Sequence, residues 1–273
     1  NSVRETLNKE DYIEVDTPII QPVYGGANAK PFKTYVNDLK REAYLRISDE
    51  LYLKRLIVGG FDKVYELNKD FRNESIDSTH NPEFSMIEFY QAYADYHDMM
   101  KLTEEIISNT VKAIGNKNEV NFMGNKINLK TPFKVMTVKE AIKKFGNIDV
   151  NKLNDKGLFK LKEKYKLEHR GILTRGWMIQ LLFEHFAEPK LIQPVFITEH
   201  PRETTPLCKW SRKDSSLIER FELFIGGFEI SNGYSELNDP IIQRKLLEEQ
   251  AKELKEGVED ANPMDEDFIK AIE

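Results

Sequence analysis

The stretch KVYELNKDFRNESIDSTHNPEFSMIEFYQ, residues 63–91, decides the fold of this chain. Hydrophobic and polar residues alternate toward both of its ends, and a period of two is typical of β-strands that bury one face. Between these runs lies FRNESIDSTHNPEF (71–84), which is rich in charged and amide side chains. We therefore predict two paired strands joined by a polar loop whose side chains hold a polar ligand.

Alternation assigns the polar residues of the two strands to one face of the sheet. The first strand places on that face Glu66, Asn68, Asp70, Arg72 and Glu74, and its partner places there Met86, Glu88, Tyr90 and Ala92. The loop between them adds His80, Asn81 and Pro82. A lone arginine in a strand usually forms a surface ion pair of small energetic value. Here the neighbouring carboxylates and amides favour a binding site instead.

The composition is that of an ordinary soluble protein. The chain has 273 residues, 40% hydrophobic and 32% charged, enough for one large domain or two small ones with a core that needs no disulfide bonds. No apolar run approaches the ~18–20 residues of a membrane span, and the N-terminus carries no apolar signal region. The single cysteine, Cys208, excludes internal disulfide bonds and disfavours a cysteine-based metal site. We expect a cytoplasmic protein without membrane association.

The first two regions of the chain differ in character. Residues 1–112 contain short alternating runs separated by glycine, proline and asparagine. They end in an amphipathic helix predicted over HDMMKLTEEIISNTVKAI (97–114) and stopped near Gly115. Residues 116–190 are predicted to form a mostly helical insertion within the larger domain.

The insertion combines a short hairpin with lysine-rich helices. EVNFMGNKINL (119–129) predicts two strands with Gly124 and Asn125 as the turn. TVKEAIKKFG (137–146) and GLFKLKEKYKLEHR (157–170) show helical spacing with lysine and glutamate toward solvent. The net charge of −6 leaves a local basic face possible. These lysines form either a solvated surface or a nucleic-acid contact, and their mixture with acidic residues favours the solvated surface.

The last third of the chain returns to strands. LIQPVFITEHP (191–201) is an apolar run closed by proline, and RFELFIGGFEIS (220–231) reads as a hairpin around Gly226 and Gly227. A helix then begins near Asp239 and runs to Gly257.

The hairpin brings two carboxylates together. With Gly226 and Gly227 as the turn, Phe224 would oppose Glu229, and Glu222 would oppose Ser231. Glu222 and Glu229 then lie diagonally on one face with Cβ atoms roughly 7 Å apart. Such a pair can share a divalent ion such as Mg²⁺, which is commonly held by one or two carboxylates and substrate phosphates. The alternative is that both side chains lie on the solvated face of an edge hairpin.

These stretches and their order resemble the class II aminoacyl-tRNA synthetases of the lysyl type. FRNESIDSTHNPEFSMIEFYQAYADY resembles motif 2 of that family, and YIEVDTPIIQPVYGGANAKPFKTY resembles its motif 1, with Pro18 at the motif proline. YLRISDELYLKRLIVGGFDKVYEL and EHPRETTPLCKWSRKDSSLIERFELFIGGFEISNGYSELNDP look like the same enzyme. The THNPEF loop and the SELND ending are similar to the lysyl rather than the aspartyl or asparaginyl form. The resemblance covers about 1–112 and 190–273.

The resemblance implies an α+β fold, an antiparallel six-stranded β-sheet flanked by helices, and a homodimer built through motif 1. It also implies a two-step reaction. L-lysine and ATP, with Mg²⁺, give lysyl-adenylate and pyrophosphate, and the lysyl group then passes to tRNA(Lys).

The resemblance further implies roles for single residues. Those for ATP are Arg72, Glu74, His80, Asn81, Phe84, Glu222 and Glu229, the last two through Mg²⁺. Those for lysine are Gly25, Glu50, Arg72, Glu88, Tyr90, Asn232, Tyr234 and Glu236. Arg72 would be the catalytic residue, since a guanidinium fork can bridge the lysine carboxylate and the α-phosphate. Tyr90 and Glu236 would receive the ε-ammonium group.

The chain also departs from the family pattern. It reads SDE at residues 48–50 where the family pattern has APE, and it contains no glycine-rich string of the motif 3 type. It ends at EDFIKAIE, about where the lead-in to motif 3 begins, and it has no N-terminal anticodon-binding domain. We therefore expect residues 1–273 to be a catalytic domain that is incomplete at its C-terminus, as part of a longer protein.

Two other functions remain open at this point. A synthetase paralogue could attach lysine to a protein such as elongation factor P instead of to tRNA. A non-catalytic regulatory or assembly module could bind lysine or ATP and use the dimer face. Lysine-dependent exchange of pyrophosphate into ATP separates the last from the two enzymes, and the acceptor of the lysyl group separates the enzymes from each other.

Overall fold

The computed structural model describes residues 1–77, 80–115, 118–169, 171–258 and 261–273. Ser78 and Thr79 of the predicted loop, the first two residues of the predicted insertion and the last residue of its predicted second helix lie outside this description. The chain forms two compact units. Unit A consists of residues 7–93 and 238–273, and unit B consists of residues 1–6 and 94–237. The predicted boundaries of the insertion stay a prediction.

Runs of strands and single or paired helices follow one another along the described residues, and the predicted α+β class is confirmed. The α-helices are α1 (Ser2–Lys9), α2 (Glu50–Val58), α3 (Tyr96–Ala113), α4 (Val138–Gly146), α5 (Asp155–Lys164), α6 (Arg175–Phe186), α7 (Pro240–Lys255) and α8 (Glu266–Ile272). The β-strands are β1 (Ile13–Glu14), β2 (Ile20–Gln21), β3 (Lys33–Val36), β4 (Arg41–Leu45), β5 (Lys63–Phe71), β6 (Glu83–Gln91), β7 (Glu119–Phe122), β8 (Asn125–Asn128), β9 (Lys134–Thr137), β10 (Val195–Thr198), β11 (Arg220–Ile225) and β12 (Phe228–Tyr234).

Unit A is built around the pair β5 and β6. The two strands are antiparallel, and their register places Glu66 opposite Glu88 and Asp70 opposite Phe84. Residues directly opposite each other share a face of the sheet. The polar face predicted from the alternating pattern is therefore confirmed for these positions.

Short elements complete unit A. β1 extends the pair as a parallel neighbour of β5, and β2, β4 and β3 form a separate three-stranded sheet. Helix α8 packs on α2, where Arg55 forms an ion pair with Asp265, the N-cap residue of α8. This contact ties the end of the described chain to the helix that begins at Glu50.

Unit B contains a four-stranded sheet in the order β12, β11, β10, β9. Its core lies between this sheet and helices α4 and α6, and it includes Val138, Ile142, Leu182, Phe183 and Phe224. The predicted hairpin is confirmed: β11 and β12 are antiparallel around Gly226 and Gly227, whose φ angles are +69° and +84°. Positive φ at both turn positions is why two glycines are found there.

The resemblance predicted one antiparallel sheet of six strands, and in the described residues the strands form separate sheets instead. The largest has four strands, and both it and the sheet of β1, β5 and β6 contain one parallel pair. The helix predicted over 97–114 is confirmed as α3, whose capping box is formed by Asp95 and Asp98.

The turn of the insertion hairpin was predicted one residue too late. The structure has Met123 and Gly124 as the turn, with φ angles of +47° and +77°, and Asn125 already pairs with Phe122. This register sets Val120 opposite Ile127, and both belong to a hydrophobic cluster with Val111. Burial of that pair selects the observed register, because a slip of one residue would turn the apolar side chains away from the cluster.

The lysine-rich helices face solvent, in keeping with the solvated-surface interpretation. Lys156, Lys160 and Lys164 are exposed along one side of α5. The helix ends at Lys164, earlier than the pattern predicted, and Lys166 adopts φ of +54°. Among the described residues we find no helix with the length and apolarity that crossing a bilayer requires. Cys208 is buried, and its thiol lies 3.4 Å from the carbonyl oxygen of Glu219.

Gly233 supplies a test of the packing between β11 and β12. It lies opposite Phe221, and a Cβ at this position would come within 2.8 Å of the Phe221 ring, which is 1% exposed. We expect Gly233→Ala to lower the free energy of unfolding by about 1–3 kcal/mol, because the buried ring has to leave its packed position. Urea denaturation measures this loss. Ile230→Ala on the same strand is the control and should change the value by less than about 0.5 kcal/mol; an equal effect of both variants would contradict the prediction.

Candidate active site

A buried arginine organises the polar face of unit A. Arg46 follows β4 and is 1% exposed. Its Nη1 donates to Glu66 Oε1 at 2.8 Å and lies 3.2 Å from Asp49 Oδ1, and its Nε lies 3.4 Å from Asp70 Oδ1. The guanidinium also donates to the carbonyl oxygen of Lys69. One positive charge therefore serves three buried carboxylates, a network whose stability depends on keeping every partner.

Three carboxylates of this face lie close together. Oxygen atoms of Asp49, Asp70 and Glu88 are all within 4.8 Å of one another, which makes this the group best placed to hold a cation among the described residues. Burial first, and then the charges of neighbouring acids, raise the pKa of each of the three to about 7. Part of this cluster is therefore protonated near neutral pH.

Glu88 is held in one orientation by its neighbours. Its Oε1 accepts hydrogen bonds from Ser48 Oγ at 2.8 Å and from the backbone N–H of Asp49 at 3.3 Å, and its Oε2 accepts one from Tyr90 Oη at 2.9 Å. A carboxylate fixed in this way can receive an ammonium group without reorganisation. The structure thus brings together Glu88 and Tyr90, two of the residues predicted to bind lysine.

Glu50 lies in the first turn of α2 and is buried. Its carboxylate accepts a hydrogen bond from Lys54 Nζ at 2.6 Å, one helical turn later. The glycine pair packs against this turn: a Cβ on Gly26 would lie 2.9 Å from Glu50 Cβ, and a Cβ on Gly25 would lie 2.7 Å from Leu51 Cδ1. Gly26 also has φ of +89°, so a side chain is disfavoured there twice over.

Arg72 and Phe84 lie together at the loop end of the same pair of strands. The Arg72 guanidinium carbon is 5.1 Å from the centroid of the Phe84 ring, and Nε donates to the carbonyl oxygen of Ile47 at 3.2 Å. The backbone N–H of Arg72 donates to the carbonyl oxygen of Pro82. The guanidinium is thus stacked and oriented, which leaves its other N–H groups for an anion.

The remaining predicted ATP residues of the loop make contacts of their own. Glu74 is exposed, and its backbone N–H donates to the carbonyl oxygen of Arg72 at 3.0 Å. The exposed His80 ring forms a 2.8 Å contact with the carboxylate of Asp77. Asn81 donates to the carbonyl oxygen of Glu83 at 2.7 Å.

In unit B the predicted register of the two hairpin carboxylates was wrong by one residue. A β-bulge between Leu223 and Phe224 places Glu222 opposite Asn232, whereas Ser231 pairs with Leu223. The prediction that Phe224 opposes Glu229 is confirmed. The bulge adds one residue to β12, and it leaves the two carboxylates on neighbouring strands.

Glu222 is buried against positive and neutral partners. Arg220 Nη2 lies 2.7 Å from its Oε1, and His200 Nε2 lies 3.8 Å from its Oε2. Burial and the nearby Arg220 lower the pKa of His200 to about 3, so this histidine is neutral and the Arg220 contact is the ion pair.

The charges of neighbouring carboxylates act on Glu229. Asn232 Nδ2 donates to Glu229 Oε1 at 2.9 Å. Desolvation and the charge of Glu222 raise the pKa of Glu229, and burial with the charges of Glu184, Glu222 and Glu229 raises that of Glu188 to about 7. Such mutual elevation means that negative charge here is incompletely balanced, and carboxylate oxygens are the ligands that Mg²⁺ prefers.

Tyr234 and Glu236 continue from β12. Tyr234 pairs with Arg220 in the sheet register, and Glu236 is half-buried and forms an isolated bridge with Cys208. The Oε2 atom of Glu236 is buried, although the residue as a whole is only half-buried. All the functional assignments stay predictions, namely those of Gly25, Glu50, Arg72, Glu74, His80, Asn81, Phe84, Glu88, Tyr90, Glu222, Glu229, Asn232, Tyr234 and Glu236.

The sequence analysis did not identify the basic residues that contact the carboxylates of units A and B. They are Arg46, Lys54, His200 and Arg220. It noted Asp49 only as a departure from the family pattern. Two had a signal: Glu50 and Lys54 have the i, i+4 spacing of a helical ion pair, and Arg220 and Glu222 share one face of a strand. Arg46 meets Glu66 and Asp70, and His200 meets Glu222, only through the tertiary fold.

Comparison with known proteins relates the whole chain to one family. The profile of the tRNA synthetases class II (D, K and N) matches residues 1–273. The lysine–tRNA ligase of Saccharolobus solfataricus is 49% identical over 271 residues, 99% of this chain and 55% of the relative. Those of Methanospirillum hungatei and Clostridium novyi are 49% and 46% identical, over 99% and 100% of this chain and 54% of each relative. The chain therefore spans about half the length of the curated relatives it matches.

Proposed function

Because this chain belongs to the class II tRNA synthetases (D, K and N), we propose that the protein carrying it is a lysine–tRNA ligase. It activates L-lysine with ATP and transfers the lysyl group to tRNA(Lys). The observation that carries the amino-acid assignment is the placement of Glu88, fixed by three hydrogen bonds, on the same pair of strands as the oriented guanidinium of Arg72. A carboxylate for an ammonium group and a guanidinium for a carboxylate are what the two charges of an amino acid require.

The first step forms a bond between a lysine carboxylate oxygen and the α-phosphorus of ATP. The bond to the bridging oxygen breaks, and pyrophosphate leaves with its electron pair. The carboxylate is already ionised at pH 7, so no protein base is needed, and the chain supplies position and charge. Arg72 holds both reactants, and Phe84 stacks on the adenine ring.

We assign the other residues as follows. In unit A, Glu74, His80 and Asn81 bind the adenine and phosphate ends of ATP, whereas Gly25, Glu50 and Glu88 receive the α-amino group. In unit B, Glu222 and Glu229 hold Mg²⁺, which neutralises phosphate charge when bound. Asn232 and Tyr234 contribute to lysine binding, and Tyr90 and Glu236 receive the ε-ammonium group. We further propose a cytoplasmic homodimer through residues of the motif 1 region.

The proposed function is tested by exchange of labelled pyrophosphate into ATP. We expect exchange that depends on L-lysine and on Mg²⁺, followed by lysylation of tRNA(Lys) from the adenylate. Transfer to elongation factor P in place of tRNA would identify a protein-modifying ligase. Absence of lysine-dependent exchange in the protein that contains this chain would overturn the proposal in favour of a non-catalytic module.

Glu236→Gln tests the specificity for lysine. The variant removes the charge opposite the ε-ammonium group, so we expect the KM for lysine to rise by roughly 10³-fold while the KM for ATP changes little. Steady-state pyrophosphate exchange at varied lysine and varied ATP separates the two constants. Glu249→Gln on the exposed side of α7 is the control and should leave both unchanged; parallel loss for ATP and lysine would refute the assignment.

A further inference from the structure

Two buried carboxylates of unit A, Asp49 and Asp70, have too few hydrogen-bond donors. Asp49 and Asp70 are both 0% exposed, and within the described part of the chain neither Asp49 Oδ1 nor either carboxylate oxygen of Asp70 has a hydrogen-bond partner. Arg46 lies near both residues, but its hydrogens point to Glu66 and to the carbonyl oxygens of Thr17 and Lys69. Buried polar atoms are nearly always hydrogen-bonded. A proton on one of these carboxylates would supply a donor for the other.

The charges around Asp49 and Asp70 also indicate that this pair binds a proton. Acidic side chains outnumber basic ones among the groups that face the pair from β4, α2, β5 and β6. The acids are Asp49, Glu50, Glu66, Asp70 and Glu88, the bases are Arg46, Lys54 and Arg72, and the neutral polar neighbours are Ser48, Asn68 and Tyr90. Like charges this close in a buried site cannot all remain ionised, and a bound proton is the smallest correction.

We propose that Asp49 and Asp70 carry one proton as a pair in the ligand-free protein, and that they release it when the α-ammonium group of the substrate binds at Glu88. The inference rests on the proposed function, because it takes the ligand to be an amino acid. One O–H bond of the pair breaks, the proton passes to solvent, and the ammonium group supplies the positive charge that replaces it. Two carboxylates that share a proton titrate as a unit.

Asp49 and Asp70 act in this scheme as positioning residues that do not touch the substrate. Because the proton leaves as the ammonium group arrives, the net charge of this face is the same before and after lysine binds.

Calorimetric titration with L-lysine tests the proposal. Both amino groups of lysine are protonated at pH 7, so any proton released comes from the protein. Titrations in buffers of different ionisation enthalpy give the number of protons released per lysine bound. For the unmodified protein we expect a net proton release at pH 7 that declines as the pH rises above the raised pKa of the pair.

Two variants assign the proton. Asp70→Asn should abolish the buffer-dependent heat while lysine still binds, and Asp49→Asn serves the same purpose if the first variant does not fold. The exposed Asp38→Asn is the matched control and should retain the full release.

The outcomes separate the two levels of inference. Lysine binding without proton release, or an equal release from Asp70→Asn and the unmodified protein, would overturn the proton-carrying pair alone. Complete absence of lysine binding would overturn the proposed function and the pair together.

Discussion

Arg46→Met is expected to lower the free energy of unfolding by about 3–5 kcal/mol, which would make it the most destabilising single substitution considered for this chain. Methionine preserves much of the side-chain volume but removes a positive charge that lies within ion-pair distance of Asp49, Glu66 and Asp70. The carboxylates would stay buried without compensation. Urea denaturation at pH 7 measures the loss.

The effect of Arg46→Met should depend on pH. Because the pKa values of Asp49 and Asp70 in the folded chain, about 7, exceed the usual carboxyl value, the folded chain binds more protons than the unfolded chain between about pH 4 and 7. Their contribution to stability is therefore largest at the acidic end and is lost as the pH rises through 7. Without Arg46 these pKa values rise further, so the defect should be smaller at pH 5 than at pH 8.

The exposed Arg41→Met, on the strand that precedes Arg46, is the control for this experiment. It should leave stability within about 0.5 kcal/mol of the unmodified chain. A similar small change for Arg46→Met, or a defect that shrinks as pH rises, would contradict the account of the buried cluster.

Arg72→Lys is expected to lower the rate of lysine-dependent pyrophosphate exchange by about 10²–10³-fold. Lysine retains the positive charge but lacks the planar fork that can contact a carboxylate and a phosphate together, and it loses the stacking on Phe84. Stability should change little, since Arg72 is only partly buried. Exchange kinetics and urea denaturation of the same preparation distinguish a lost role from a lost fold.

Arg41→Lys provides the matched control, because it makes the same chemical change at an exposed position of unit A. We expect unchanged exchange for that variant. Loss of less than tenfold in Arg72→Lys would show that a point charge suffices and would remove the case for a bridging guanidinium.

Local patterns predicted much of this fold. Alternation predicted β5 and β6 and the polar residues that share one of their faces, since a half-buried strand leaves a period-two pattern in the sequence. The Gly226–Gly227 pair gave the hairpin turn for a similar reason, because both positions have positive φ. The bulge between Leu223 and Phe224 left no such trace. An extra residue in one strand changes pairing without changing composition.

The candidate site was less predictable than the strands that carry it. Glu88 and Tyr90 followed from alternation, but the network around Arg46 depends on partners 20 or more residues away that meet only when β4, α2 and β5 pack together. Burial then decides the charge state of these groups, and burial is a property of the whole unit. The division of the strands into separate sheets depends in the same way on pairing between segments that are distant in the sequence, and local patterns do not predict it.

The burial of Cys208 has a practical consequence for experiments on this protein. It is the sole cysteine of the chain and is 1% exposed. Thiol-reactive dyes should therefore leave the folded chain unmodified and react only after denaturation. A cysteine introduced at an exposed position, such as Asp38→Cys in unit A or Lys160→Cys in unit B, would accept a single fluorophore without prior removal of the native thiol.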